Sequence, residues 1–315
     1  MPFLNNKSLL EQTIDRLRVI SEKKNIGVIT TEEQEKLVVD AVGERLGFVI
    51  KEPSGRNTGP AVLYSCLESN SNDNDILVFL PADHFIPDSE KYCSYLKKAI
   101  DHAQHNNKIV TLGLMPTHPA TGYGYIQANS RGAGVASTVV AGNVYDVKKF
   151  HEKPDRKKAE KYVRDGDMFW NLGMFVGKKS VFVSEFEQHA PEIFSGISDY
   201  ESVPSMSIDY AVMEKSDNLC VIPCDFEWND IGNLDVFLSI QQRYEAAQHK
   251  LINIDSENNI AKTEKKIVAF IGVDDLCVVE DGDVIVVAKR REVEKVKNIS
   301  FQETSLTNKK STDII

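Results

Sequence analysis

The sequence predicts an α/β fold: a Rossmann-like mixed, mostly parallel sheet with helices on both faces, plus a small C-terminal β unit. Three observations carry that expectation. Up to about residue 115, short apolar runs alternate with amphipathic stretches, the pattern of strands whose crossover helices cover both faces of a sheet. Beyond that point glycine-containing strand segments are interleaved with helices, and the last third closes on short strands alone. The length of 315 residues suits one large domain with a small appendage.

The elements follow in order. Residues 8–18 place Leu9, Leu10, Ile14 and Leu17 near helical spacing, with Ser8 and Glu11 set as a capping box. Residues 26–31 form a short buried strand, and Thr31 followed by Glu32 and Glu33 is the acidic start of a helix. A strand at 48–50, a helix at 61–67, a fully buried strand at 76–80, a helix at 92–105 and a strand at 109–114 come next. Strand-rich segments lie at 122–128, 135–150 and 174–177, with helices at 159–164, 179–189 and 209–215. A helix at 234–247 leads into a polar segment, 253–265, then into strands at 267–271, 276–280 and 284–288 that can form a few coils of parallel β-helix. The expected division is a large domain over 1–250 and a small β domain over 251–315, whose locally basic tail reads as solvated surface.

Hydrophobic residues at 42% and charged residues at 27% are ordinary globular values, which set disorder aside. No run of about 18 apolar residues is present to span a bilayer. Thirty-seven Lys plus Arg against 47 Asp plus Glu leave a net charge of −10, a field that repels nucleic-acid backbones. The expectation is therefore no nucleic acid and no membrane partner, and a small anionic ligand requires a local site. Five scattered cysteines, Cys66, Cys93, Cys220, Cys224 and Cys277, and the lack of an apolar leader point to a reduced, cytoplasmic compartment. Cys220 and Cys224 have no second Cys or His pair to complete a zinc site, so packing accounts for them.

Six segments can carry chemistry. Leu77-Val78-Phe79-Leu80-Pro81-Ala82-Asp83-His84 is an apolar strand ending in a carboxylate, at the edge where open α/β sheets bind ligands. Mg²⁺ takes one or two carboxylates besides phosphate oxygens and water, a role open to Asp83; a helix cap or a turn explains the residue equally well. Asp230, in Trp228-Asn229-Asp230-Ile231-Gly232, either caps the next helix or completes a two-carboxylate site with Asp83. The turn Glu52-Pro53-Ser54-Gly55-Arg56-Asn57-Thr58-Gly59-Pro60 offers amides and a guanidinium to a nucleobase or an anion, or is simply solvated. In Thr121-Gly122-Tyr123-Gly124-Tyr125-Ile126 the glycines let another molecule approach the main chain. Glu152 and Lys153 set a carboxylate beside an ammonium, suited to a sugar hydroxyl and a phosphate, or an exposed ion pair. Asn171 is the one amide side chain in the apolar run 169–175, and a bound hydroxylated ligand can supply the partners it needs if buried.

In order and wording, these segments resemble the mannose-1-phosphate guanylyltransferase family of sugar nucleotidyltransferases, together with Lys7-Ser8-Leu9-Leu10-Glu11-Gln12-Thr13 and Ser207-Ile208-Asp209-Tyr210-Ala211-Val212-Met213-Glu214-Lys215. The resemblance runs from Lys7 to about Gly232 and more weakly to Ala288. It implies a nucleotide-diphospho-sugar transferase type of fold, with the C-terminal unit a short left-handed parallel β-helix. It also implies Mg²⁺-dependent attack of mannose 1-phosphate on the α-phosphorus of GTP, giving GDP-mannose and pyrophosphate. Carried over by motif, Asp83 and Asp230 hold the Mg²⁺, Tyr123 and Gly124 present the mannose pocket, Glu152 and Asn171 bind sugar hydroxyls, and Lys153 faces the sugar phosphate. Glu52, Pro53, Arg56, Asn57 and Thr58 lie against the guanosine.

GTP and mannose 1-phosphate are the implied partners, and a homodimer is compatible with them. The family opens with a first strand and a glycine-rich loop, L-A-G-G-x-G-T-R-L-W-P, whose Arg and a following Lys act on the triphosphate. No copy of it occurs in these 315 residues, so no catalytic residue is assigned. The expectation is a native protein with roughly 25 further residues before Met1, enough for that strand and loop. The alternatives are another sugar-1-phosphate nucleotidyltransferase, or an inactive sugar-nucleotide-binding or regulatory relative. A second catalytic domain is not expected after Ala288.

Overall fold

The computed structural model describes residues 3–129, 140–244, 251–263 and 266–298. They divide into two compact units. One comprises Thr13–Ala82 and Ile86–Trp228; the other comprises the described residues of Met1–Gln12, Asp83–Phe85 and Asn229–Ile315.

The first unit is built on strands β1 (Gly27–Thr31), β2 (Phe48–Glu52), β3 (Ile76–Phe79), β4 (Ile109–Leu114), β5 (Tyr125–Ala128), β6 (Tyr145–His151), β7 (Met168–Lys178) and β8 (Leu219–Cys224). β1 and β2 pair in parallel, and the other six form one sheet in the order β3-β7-β4-β8-β6-β5, with β5 also pairing β7. Helices α2 (Glu35–Val42), α3 (Thr58–Glu68), α4 (Ser89–His105), α5 (Arg156–Asp165), α6 (Lys179–His189) and α7 (Pro191–Gly196) accompany them, and α1 (Leu9–Leu17) is divided between the two units after Gln12. A single π-helical turn, Asp209–Met213, occupies the place of the helix expected at 209–215.

Local chemistry sets the helix ends. Glu11 N donates to Ser8 Oγ at 3.2 Å and Ser8 N to Glu11 Oε2 at 2.8 Å, so the capping box opens α1. Asp88 and Asp155 cap α4 and α5, each accepting from the backbone N–H three residues on. Alternation along the central strands then divides the apolar residues between two cores. Ile109 and Val221 pack with Leu63, Phe182, Phe186 and Val212 under α3, α6 and the π turn, whereas Val110, Leu112 and Ile222 pack with Tyr92 and Leu96 of α4 on the other face. Each such side chain, once fully buried, contributes about 1.5–3 kcal/mol.

The α/β class with helices on both faces is as expected, and the share of parallel pairing is smaller. β3, β4, β5 and β8 run one way and β6 and β7 the other, so β4–β8 is the parallel pairing among the described residues of this sheet. The cause is β7, an eleven-residue strand that inserts between β3 and β4 and runs against both. β3 becomes the sheet's edge, and its four residues are partly rather than fully buried. The strand expected at 135–150 appears as β6 from Tyr145; residues 130–139 lie outside the described set.

In the second unit, α8 (Leu234–Tyr244) precedes β9 (Leu251–Ile254), β10 (Ile260–Lys262), β11 (Val268–Ile271), β12 (Leu276–Asp281) and β13 (Val284–Lys289). β9 pairs β11 and β10 pairs β12 in parallel, Leu251 with Val268 and Ile260 with Cys277. The spacing of 17 residues recurs in the hydrogen bonds that close the coil. The expected polar segment at 253–265 therefore holds the end of β9 and all of β10, whose shortness hid them from hydropathy. β13 returns antiparallel on β12. Asn259, 4% exposed, fixes the coil: its Nδ2 donates to Val273 O at 2.7 Å, and Leu276 N donates to its Oδ1 at 2.8 Å. Asn259→Ala leaves both main-chain groups without that partner, at a cost of about 2–4 kcal/mol. A fall in the urea midpoint checks this, and an unchanged midpoint shows that water replaces the amide.

Candidate functional site

The cluster in the first unit begins with an irregularity in β7. Pairing with β4 slips so that Thr111 faces Phe175 while Gly113 faces Asn171, which makes 172–174 a bulge. Bulges of this kind re-aim side chains beside active sites. Gly173 turns the bulge at φ +65°, in the left-handed region that favours glycine. Asn171 is 8% exposed, and its Oδ1 accepts from Gly173 N at 3.1 Å and Thr111 Oγ1 at 3.2 Å. Its Nδ2 donates to Asp209 Oδ1 at 2.9 Å, and its backbone N–H donates to Gly124 O at 2.8 Å.

Gly124 makes room for the rest. A Cβ at that position would stand 2.5 Å from Glu152 Oε2 and 3.2 Å from Asn171 Cβ, so only glycine lets carboxylate and amide share the notch. The Glu152 side chain is 6% exposed and 3.1 Å from Lys153 Nζ, which is itself half exposed. Glu152 N donates to Glu214 Oε1 at 2.7 Å, anchoring the chain as it leaves β6. Burial pushes the Glu152 carboxyl up to about 7, with the Asp209 charge adding to the effect and Lys153 opposing it. Burial also raises Asp209, against its own hydrogen bonds and Lys153. The Tyr123 ring makes T-shaped contacts with Trp170 and Trp228, 5.2 Å from each centroid, so the ring is already engaged within the protein.

The turn at 52–60 is braced rather than merely solvated. Tyr200's hydroxyl donates to the Glu52 carboxylate, and the Arg56 guanidinium donates to Glu201 O. Asn57 sits at φ +69° and caps α3, its Oδ1 accepting from Thr58 N at 2.8 Å. Ile208 N donates to Thr58 Oγ1 at 3.0 Å and Gly59 N to Met206 O at 2.9 Å. Pro53 is exposed. The start of α3 is thereby tied to the segment that delivers Asp209.

Asp83 and Asp230 come together in the second unit. Phe85 and Asn229 form an antiparallel bridge, with N–H···O distances of 2.8 and 3.1 Å, and this brings the two aspartates into range of each other. Asp83 keeps access to solvent, yet desolvation at the strand end lifts its carboxyl above the ordinary range, and the Asp230 charge adds to the lift. Ile231 follows at φ +47°, its N–H donating to Asn229 Oδ1 at 2.7 Å. Helix capping falls to other residues: Asp88 caps α4, and Asn233 accepts from Val236 N at the start of α8. Among the described residues no three His, Cys, Asp or Glu side chains are placed to hold a metal ion. Two carboxylates, with ligand oxygens and water completing the shell, suit Mg²⁺.

Sequence reasoning assigned no role to Thr111, Asp209 or Tyr200, although Asp209 lies in one of the segments that carry the resemblance. Thr111 did carry a signal, a hydroxyl inside the apolar strand 109–114, and it is 2% exposed. The cysteines are all buried and free, and burial pushes the Cys220 thiol up to about 12, away from nucleophilic chemistry.

A mixed α/β sheet that gathers an amide, a carboxylate and a lysine, with a coil of short parallel strands appended, is the architecture of nucleotidyl transferases. Residues 1–247 match the nucleotidyl transferase family, and 249–301 match the MannoseP isomerase/GMP-like beta-helix domain. The chain belongs to the mannose-1-phosphate guanylyltransferase family of nucleotidyl transferases. It is 33% identical to mannose-1-phosphate guanylyltransferase 2 of Escherichia coli O157:H7, over 93% of this chain and 66% of that protein. It is 32% identical to a mannose-1-phosphate guanylyltransferase of Escherichia coli, over 96% and 70%. A solved structure described as a mannose-1-phosphate geranyltransferase from Thermus thermophilus superposes with a TM-score of 0.80 at 28% identity, covering 95% of this chain and 90% of that one. The chain spans about two thirds of the length of the curated relatives it matches. Among the described residues no helix is long and apolar enough to cross a membrane.

Proposed function

We propose that this protein transfers a guanylyl group from GTP to mannose 1-phosphate, giving GDP-mannose and pyrophosphate. The observation that carries the reading is the notch at Gly124, where the Glu152 carboxylate, the Asn171 amide and the Lys153 ammonium converge. Ionised Glu152 accepts from a sugar hydroxyl, Asn171 binds a second one, and Lys153 offsets the charge of the sugar phosphate. An oxygen of that phosphate attacks the α-phosphorus of GTP, and the bond from the α-phosphorus to the bridging oxygen breaks as pyrophosphate leaves. Little covalent chemistry falls to the protein in such a transfer, so holding the two phosphates in line is its main work. The start of α3 supplies the positive end of a helix dipole to the nucleotide, its first N–H groups being taken by Asn57 and Met206. Asp83 and Asp230 would hold Mg²⁺, which when bound neutralises phosphate charge. The names of the relatives support both substrates. The buried, unpaired cysteines support a reducing, cytoplasmic location.

Incubation with GTP, mannose 1-phosphate and Mg²⁺ is expected to release pyrophosphate, at least about tenfold faster than with ATP, CTP or UTP, a ratio that selective contacts to one base supply. Preference for another nucleotide reassigns the base. Binding of GDP-mannose without pyrophosphate release, in a folded protein, replaces transfer by a binding role. Gly124→Ala tests the notch itself. The added methyl displaces the Glu152 carboxylate and is expected to weaken mannose 1-phosphate binding about tenfold, the loss of one charge-assisted hydrogen bond. Calorimetry reads this, and unchanged affinity removes Glu152 from the sugar site.

A further inference from the structure

The Asn171 amide has its polarity fixed by its neighbours. A backbone N–H can only donate, so the atom facing Gly173 N at 3.1 Å is the oxygen; the atom 2.9 Å from Asp209 Oδ1 is then the nitrogen, which can only donate. Thr111 Oγ1 lies 3.2 Å from Oδ1 and 3.5 Å from Leu112 O, and it donates to the nearer oxygen, Oδ1. Both lone pairs of Oδ1 are filled from within the protein, and one Nδ2 hydrogen is left without an acceptor among the described residues. A Cβ on Gly124 would lie 3.5 Å from that Nδ2 and 2.5 Å from Glu152 Oε2, so donor and acceptor border the same notch.

We infer that Thr111 and Asp209 are positioning residues that lock the Asn171 amide as a hydrogen-bond donor, so that the notch presents one fixed donor beside one acceptor, Glu152. The inference rests on the sugar-phosphate reading of this site. A hydroxylated ligand is then selected by a pair of hydroxyls, one accepting from Asn171 and one donating to Glu152. Thr111 reaches Asn171 from β4 and Asp209 reaches it from the π turn, which lies 38 residues further along the chain. The bulge at 172–174 lets both arrive at one side chain.

The test is calorimetric titration with mannose 1-phosphate, together with ¹⁵N spectra of the Asn171 side-chain amide identified by its loss in Asn171→Asp. Thr111→Val, which keeps the shape and deletes the donor, is expected to weaken binding about tenfold and to shift the Asn171 amide signal, whereas Thr111→Ser restores both. Asp209→Ala behaves as Thr111→Val does, and Asp209→Asn, which keeps an acceptor oxygen, stays within about threefold of wild type. A merely structural role for Thr111 predicts affinity loss in step with thermal stability and no rescue by serine. Wild-type affinity and an unmoved Asn171 signal in Thr111→Val overturn the lock. If the wild-type protein does not bind mannose 1-phosphate, the sugar-phosphate reading fails, and the Asn171 signal in Thr111→Val still decides whether the amide is locked.

Discussion

Glu152→Gln is expected to raise the thermal midpoint of the ligand-free protein at pH 8 and, in the same molecule, to cost about 10–100-fold in affinity for mannose 1-phosphate, the range for losing a hydrogen bond to a charged group. The two effects share one cause. Burial and the neighbouring Asp209 hold the Glu152 carboxyl up to about 7, above its ordinary value of 4.5. A group whose pKa is raised by folding binds its proton more tightly in the folded state. Its favourable contribution to stability is complete below the ordinary value and is lost as pH rises through about 7. At pH 8 the wild-type protein therefore carries a buried carboxylate held against its preference, and glutamine, shaped like the protonated acid, removes that cost. At pH 5 the two proteins melt alike. Lys153 loses its partner in the variant, but it is half exposed, and such pairs contribute little. Melting curves at pH 5 and 8 check the first effect and calorimetry the second. An equal difference in midpoint at both pH values would remove the ionised Glu152 from the account.

The same physics explains what could be read from the residues in order. The capping box at Ser8 and Glu11 and the alternation of β4 are local, and each follows from neighbours within a few positions, whereas the need for glycine at 124 comes from Glu152 and Asn171, far along the chain. The buried Asn171 was legible as an amide in need of partners, and ligand hydroxyls were the expected suppliers. The protein itself supplies three, from Gly173, Thr111 and Asp209. Two of those are non-local, arriving through a bulged strand pairing and a π turn that no periodicity reports. β7 escaped for a related reason: its antiparallel insertion between β3 and β4 is set by pairing across about 60–100 positions of chain, where local propensity has no say. β9 and β10 escaped because they are only four and three residues long and pair with strands 17 positions away, which leaves no alternation for a local reading to detect.

Asp83→Asn and Asp230→Asn are each expected to lower Mg²⁺-dependent pyrophosphate release at least about 100-fold, while raising the thermal midpoint in EDTA. The loss follows from charge: the two carboxylates would hold a cation shared with phosphate oxygens, and an amide oxygen replaces neither the charge nor the ligand strength of one. The gain follows from the metal-free state, in which desolvation and the Asp230 charge already hold Asp83 above the ordinary carboxylate range. Removing either charge relieves that pair, and asparagine retains the size of the side chain. Opposite movements of turnover and stability separate a metal site from a structural one, since an aspartate that holds the fold together loses both when neutralised. A second readout needs no turnover. On the proposed function, Mg²⁺ with GDP-mannose is expected to stabilise the wild-type protein by mass action, as any ligand of the folded state does, and this added stability is expected to vanish in both variants. A variant that keeps the full Mg²⁺-dependent rise in midpoint has lost no metal ligand, and its aspartate then belongs to the turn beside the Phe85–Asn229 bridge and not to the ion.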